Sequence, residues 1–241
     1  MNLPAGFHRV AFEEIGSTNT EALRLAETGA PELTLVTARR QLAGRGRRGR
    51  AFDSPTGNLF ASIVLRPDRP YAVVSQLSFV AALAVGDLLD RLALDGAVGF
   101  KWPNDVQVDG AKISGILLEG GVGHLVAGIG VNLLHHPGGT PYPATSVLAK
   151  GGKAADLEEA TAILAEAFLE RYRCWLADGF EPAREAWLAR AVGIGREVRV
   201  ALGDGRIDAG VFSALDETGA LVLTRDGAVR KINAGEVFFA A

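Results

Sequence analysis

The chain has 241 residues, 48% of them hydrophobic, enough to fill a real core and to exclude disorder as its default state. A formal net charge of -3 and a pI near 5.9 exclude a general basic surface that would hold DNA or RNA by counterion release. A single cysteine, Cys174, excludes an internal disulfide framework and, with four scattered histidines, zinc-ligand spacing.

The first ten residues lack an apolar stretch long enough for a signal peptide, and no segment approaches the roughly 20 apolar residues of a membrane span, so a soluble cytoplasmic protein is expected. Residues 34–38 and Leu59–Leu65 are short apolar runs that predict buried strands. From 73 to 94, Leu77, Val80, Ala81, Ala84, Val85, Leu88, Leu89 and Leu92 recur at helical spacing and predict one long core helix. Residues 101–108, 112–119 and 124–132 predict three successive strands, with Asp109-Gly110 as a two-residue hairpin turn and glycines 120, 121 and 123 marking the next turn.

Residues 134–152, with three prolines and four glycines, read as loop. Asp156 and Glu159 form a capping-box pair ahead of a helix to about Ala177, and Pro182 suits the first turn of another ending near Val192. From Gly195 onward short strands alternate with turns, at 197–202, 207–215, 221–224 and 229–232. Such spacing predicts a small β-barrel domain over 193–241, joined at Gly193 to Gly195 to an α+β domain over 1–192.

Residues 42–50 carry three glycines and four arginines, with no acidic side chain between Glu32 and Asp53. Gly44, Gly46 and Gly49 spell the dinucleotide fingerprint, but Asp53-Ser-Pro-Thr-Gly cannot open the helix that this fingerprint needs. A solvated basic loop and an RGG-like RNA segment are the other plain readings; such RNA segments repeat with interleaved aromatics, whereas this one occurs once. A loop of this kind suits a compact anion, because glycines let backbone N–H groups approach closely and guanidinium forks grip phosphate.

More motifs follow in order: Gly16-Ser-Thr-Asn, Gln41 ahead of the arginine loop, Ser54-Pro-Thr-Gly-Asn-Leu, Lys101-Trp-Pro-Asn-Asp, Lys112-Ile-Ser-Gly-Ile-Leu-Leu-Glu, Gly128-Ile-Gly-Val-Asn, Ala144-Thr-Ser and Ala234-Gly-Glu-Val. Their order and spacing resemble the biotin protein ligases, which attach biotin to carboxylase carrier proteins. The resemblance implies an α+β catalytic fold like that of class II synthetases, with a mixed or antiparallel sheet and packed helices, followed by an SH3-like barrel. It also implies ATP and Mg²⁺, biotin as substrate, biotinyl-5′-AMP as intermediate, a biotin carboxyl carrier protein as acceptor, and a possible homodimer.

By position, Ser17, Thr18, Asn19, Gln41, Gly44, Arg45, Gly46, Arg47, Lys112 and Gly115 are expected around biotin. Arg45, Arg47, Arg50, Phe52, Asn104, Asn132 and Ala144 are expected around ATP, with Lys112 and Arg45 catalytic and Asp105 a candidate magnesium ligand. Thr18 also reads as a helix cap with Glu21 at its third position. Lys112 enters an otherwise apolar segment, which implies a lysine without a resident partner. Two departures stand out: Phe52 occupies a position where many relatives carry Trp, and the ligand motif begins at Gly16, which leaves no room for the DNA-binding domain of some members. The rival readings are a lipoate or octanoate ligase of the same superfold and a protein that retains biotinyl-adenylate without turning it over.

Overall fold

A computed structural model describes residues 3–140, 142–153 and 156–239. The chain builds a seven-stranded sheet in the order β1-β2-β3-β7-β6-β5-β4, from β1 (His8–Ile15), β2 (Thr34–Gln41), β3 (Leu59–Leu65), β4 (Val98–Lys101), β5 (Asp105–Val108), β6 (Ala111–Gly121) and β7 (His124–Val131). β1 pairs with β2 in parallel and every other neighbouring pair is antiparallel, so the sheet is mixed.

Helices cover the two faces unequally. α1 (Thr18–Glu27) packs on β2, β3 and β7 through Ala22 and Ala26, against Val36, Val64 and Val126. On the opposite face lie α2 (Tyr71–Val74), α3 (Leu77–Arg91), α4 (Leu157–Asp178) and α5 (Glu181–Leu188). α3 is buried nearly all round because the sheet lies on one side of it and α4 and α5 on the other. Among the described residues no helix covers the α1 face over β4 and β5, and the candidate site lies there and over the adjoining part of β6.

The helix expected over 73–94 breaks at Ser75 and Gln76, where the Gln76 side chain donates to Glu217 O and accepts from Trp175 Nε1. The strand expected over 101–108 is a hairpin: β4 ends at Lys101, Trp102-Pro103 turns through a cis peptide, and β5 starts at Asp105. The Asp109-Gly110 turn forms as expected, with φ of 48° and 80°. No capping box forms at α4, whose N-cap Asp156 makes no side-chain bond, and α1 is capped at Ser17 rather than Thr18. Beyond α5 the chain pairs with β4 instead of continuing as helix to 192: Phe100 N donates to Arg190 O, and Val192 N to Phe100 O.

The C-terminal sheet runs β11-β10-β9-β8-β12, from β8 (Glu197–Ala201), β9 (Ile207–Leu215), β10 (Leu221–Arg225), β11 (Ala228–Ile232) and β12 (Glu236–Phe239), all antiparallel and consistent with an SH3-like domain. Its apolar residues Val198, Val200, Phe212 and Leu215 belong to the same contiguous core as α3 and β4. Trp102 Nε1 donates to Gly219 O at 3.1 Å and Arg184 Nη1 to Leu215 O at 2.8 Å, tying the two sheets further.

Candidate active site

Strand register sets the floor of the site. Lys101 opposes Asp105, Asp105 opposes Gly115, Gly115 opposes Gly130 and Gly130 opposes Phe60. Directly opposed residues share a face, so one rung across five strands runs Lys101, Asp105, Gly115, Gly130, Phe60. The next rung carries Leu117, Gly128 and Ser62. The glycines leave bare backbone where side chains must lie across the sheet: a Cβ on Gly130 would sit 2.6 Å from the Phe52 ring, and one on Gly128 would sit 2.1 Å from Asn19 Oδ1.

At the Phe60 end the polar side chains hold one another. Gln41 Oε1 accepts from Thr18 N at 2.8 Å and from Thr18 Oγ1 at 3.0 Å, while Gln41 Nε2 donates to Ser54 Oγ. The Gln41 carbonyl therefore takes the helix-start N–H of Thr18 that a capping side chain would otherwise hold, and Glu21 pairs with Arg24. Ser62 Oγ lies 2.9 Å from Thr18 Oγ1 and donates to Asn19 Oδ1 at 2.8 Å; Asn19 Nδ2 donates to Glu119 Oε2 at 2.8 Å. Ser17, Thr18, Asn19, Gln41, Ser62 and Gly115, with Arg45 at one side, line a pocket of about 30 Å³, room for one or two waters, because the Phe52 ring lies over Gly115 and Gly130.

The arginine loop is a closed hairpin. Phe52 N donates to Gly44 O, Gly46 N donates to Arg50 O, and a single 3₁₀ turn over Arg47–Gly49 reverses the chain through left-handed Arg48 and Gly49. Gly44 has no room for a Cβ, which would meet Phe52 O and Ser54 Oγ at 2.4 Å. The loop's arginines are spread over separate acceptors: Arg45 on Glu119 at 2.9 Å, Arg47 on Asn104 Oδ1 at 3.3 Å, Arg48 on Ala201 O at 3.5 Å, and Arg50 on both carboxylate oxygens of Glu236 in β12. The hydrogen bond between Arg50 and Glu236 raises the guanidinium pKa and lowers that of the carboxyl, while burial lowers the Arg47 pKa. Exposed pairs of this kind contribute about 0–1 kcal/mol each, so an arriving anion can displace them.

Lys112 has a resident partner, contrary to the sequence expectation. A bulge in β6 aligns it with Gln107, and its Nζ lies 2.6 Å from Asp105 Oδ1, with the lysine side chain 35% exposed. Residues 143–145 run beside it as a short extra strand: Lys112 N donates to Pro143 O and Thr145 N to Lys112 O, which places Ala144 next to the lysine. Asn132 Nδ2 donates to Thr145 O and holds that segment. Asn104 Nδ2 donates to Ile116 O, leaving its carbonyl for Arg47. Lys112, Asp105, Asn104, Phe52 and the arginines Arg45, Arg47, Arg48 and Arg50 line one cleft of about 130 Å³, continuous through Phe52, Arg45 and Gly115 with the polar pocket. Asn132 and Ala144 flank it from the 143–145 side without lining it.

Sequence reasoning gave no site role to Glu119, Ser62, Gly128, Gly130 and Glu236. Alternation could have found Glu119, two steps of two along β6 from Gly115. Glu236 stands in the Ala234-Gly-Glu-Val motif, but its pairing with Arg50, 186 positions away, leaves no local mark.

The chain matches the family model described as "Biotin/lipoate A/B protein ligase family" over residues 11–136 and "Biotin protein ligase C terminal domain" over 193–240. It is 44% identical to a biotin–[acetyl-CoA-carboxylase] ligase of Paracoccus denitrificans, covering 92% of this chain and 97% of that protein. It is 34% identical to the bifunctional ligase/repressor BirA of Bacillus subtilis, covering 96% of this chain and 74% of that one. Among solved structures it superposes with a TM-score of 0.83 on the biotin protein ligase of Aquifex aeolicus in complex with biotin and ATP, at 28% identity over 96% of this chain and 97% of the other. Since the matched segments take in β2 to β7 and the whole C-terminal sheet, and the Paracoccus relative is matched over 97% of its length, the chain belongs to the biotin/lipoate A/B protein ligase family.

Proposed function

We propose that the protein activates biotin with ATP as biotinyl-5′-AMP and transfers the biotinyl group to a lysine of a biotin carboxyl carrier protein. The observation that carries this reading is the rung across the sheet: a pocket of mostly uncharged hydrogen-bonding side chains at one end, bare backbone in the middle, and Lys112 with the arginine hairpin beyond. An acid with a polar uncharged head and an anionic tail fits that order.

In the first step a carboxylate oxygen attacks the α-phosphorus and pyrophosphate leaves; in the second, the carrier amine attacks the acyl carbon and AMP leaves. Both first-step reactants are anions, whose repulsion at 4 Å is about 4 kcal/mol at an effective dielectric near 20. Lys112 and Arg45 are placed to offset it at the carboxylate and the α-phosphate. Ser17, Thr18, Asn19 and Gln41 serve the ureido ring, with Gly44, Gly46 and Gly115 closing around the ligand. Arg47, Arg50, Asn104 and Asn132 serve the phosphates, and Ala144 packs on adenine. Phe52 fills the ring site in this structure, so biotin binding requires that ring to swing off Gly115 and Gly130, where it becomes free to cover adenine.

Mg²⁺ enters as the counterion of ATP. Among the described residues no three His, Cys, Asp or Glu side chains gather, and Asp105 is engaged by Lys112, so phosphate oxygens and water supply most of its ligands. We further propose that 193–241 is a separate folding module despite its shared core, that the protein works in the cytoplasm without binding DNA, and that a second copy can add to the sheet edge at β1. No helix among the described residues is long and apolar enough to cross a membrane.

The test is incubation with biotin, Mg-ATP and a biotin carrier domain, read by mass. A carrier gaining one biotinyl group supports the reading; adenylate that stays bound with no carrier product favours a retaining protein, and product with octanoate or lipoate but not biotin favours the sister activity.

A further inference from the structure

Lys101 has no task in the chemistry described so far. It closes β4 at the far end of the rung, and the residue is only 6% exposed. Its rung neighbour Asp105 is held by Lys112. Among the described residues its Nζ makes no hydrogen bond or ion pair; it lies over two aromatic rings, 4.7 Å from the centroid of Tyr142 and 5.7 Å from that of Phe239. Yet the side chain lines the same cleft as Arg47, Arg50 and Asn104. Burial lowers its pKa, against which Asp105 and Glu236 act at a distance.

A desolvated ammonium without a carboxylate is costly, and aromatic faces offset only part of that cost. Such a group is completed by an anion that comes and goes. The register says which part of the anion arrives there. Counting along the rung from the polar pocket, Gly130 and Gly115 come first, then Asp105 with Lys112 attached to it, and last Lys101, beside β12. On the reading above, the carboxylate and α-phosphate meet at Lys112, and whatever extends past them reaches Lys101.

We propose that Lys101 binds the β- and γ-phosphates of ATP and remains with pyrophosphate as it departs; the inference rests on the ligase reading. In that step the carboxylate oxygen forms a bond to the α-phosphorus. The bond from that phosphorus to the α–β bridging oxygen breaks, and its electron pair leaves with pyrophosphate. Negative charge therefore grows on the group facing Lys101, so the contact is stronger in the transition state than in bound ATP.

The full-length protein is compared as wild type, Lys101→Met and Lys101→Arg in three assays: the KM for ATP in adenylation, inhibition by inorganic pyrophosphate, and transfer from synthetic biotinyl-5′-AMP to a carrier domain. Lys101→Met should raise both the ATP KM and the pyrophosphate inhibition constant by about 10- to 100-fold, the scale of one charged hydrogen-bonding partner. Transfer from the synthetic adenylate should stay within about threefold, because no pyrophosphate takes part, and Lys101→Arg should recover part of the loss. Unchanged pyrophosphate inhibition overturns the proposal. An equal loss in the transfer assay also overturns it, since the lysine would then be structural. A wild-type protein that forms no adenylate would sink the ligase reading itself, whereas a failure confined to the variant comparison sinks only this assignment.

Discussion

Substituting Gly128 by alanine tests whether the polar pocket holds the fold as well as the ligand. An added Cβ would lie 2.1 Å from Asn19 Oδ1, 2.8 Å from its Cγ and 3.1 Å from its Nδ2, and the first two distances force the amide to move. Asn19 is 4% exposed in the first turn of α1, so its amide can only swing away from Ser62 and Glu119. Losing the neutral bond costs about 0.5–1.5 kcal/mol and the bond to the carboxylate about 1.5–3. Alanine is otherwise preferred to glycine inside a strand by about 0.5–1 kcal/mol, which leaves a net loss near 1.5–3.5. For a chain of this size that lowers Tm by roughly 3–14 °C. Urea denaturation of Gly128→Ala, Asn19→Ala and the double variant measures it. With Asn19 truncated the new methyl meets no amide, so the two losses should fail to add by at least about 1 kcal/mol. A single variant within about 0.5 kcal/mol of wild type, or strict additivity, would refute the reasoning.

Lys112→Ala should cut single-turnover pyrophosphate release by roughly 10²- to 10³-fold, with Lys112→Arg recovering only part; because its pair with Asp105 is partly exposed, Tm should fall by no more than about 4 °C. Glu236→Gln removes the charge that holds Arg50, so amide exchange over residues 44–52 should quicken in the free protein and return to the wild-type level with biotinyl-adenylate; equal exchange in both free proteins would remove the tether. Burial alone would raise the Asp216 pKa, but hydrogen bonds from Lys231, Thr218 and Ala220 outweigh it and hold the carboxyl at about 2. A depressed folded-state pKa contributes stability above the unfolded value near 3.8 that is lost as pH falls toward 2, so Asp216→Asn should flatten the decline of Tm between about pH 4 and 2 while lowering Tm at neutral pH.

The elements with strong periodicity were legible. β3, the 109–110 turn, α4 and the C-terminal run of strands appear where apolar spacing and turn chemistry put them. β1 was missed because it is an edge strand whose outward residues His8, Glu13 and Glu14 dilute its alternation, and its partner β2 runs parallel to it rather than folding back as a hairpin. Lys101 to Asp105 looked like strand because Trp and flanking apolar residues dominate; the Trp102 ring in fact points to the C-terminal sheet, a contact 117 positions away. For Lys112 the apolar run was read correctly, but its consequence was not. The β6 bulge swings the lysine toward a carboxylate on the neighbouring strand, and a one-residue register change leaves no mark in a local sequence window. The acceptors of the four-arginine loop were likewise invisible in sequence, because each lies on a distant segment.

Because pocket and lysine stand on different strands of one sheet, the roles proposed for them would make the site a gauge of tail length. The polar pocket lies over β3 and β7 and Lys112 rises from β6, and neighbouring strands are fixed at about 4.8 Å by their hydrogen bonds. An acid one methylene shorter would bring its carboxylate up short by about 1 Å, and misplacement on that scale can reduce rate by about 100-fold. Side-chain changes at Thr18, Gln41 or Ser62 can alter which head group is held, but the span is written in backbone. Point substitutions should therefore change the ring the enzyme accepts far more readily than the length of chain behind it.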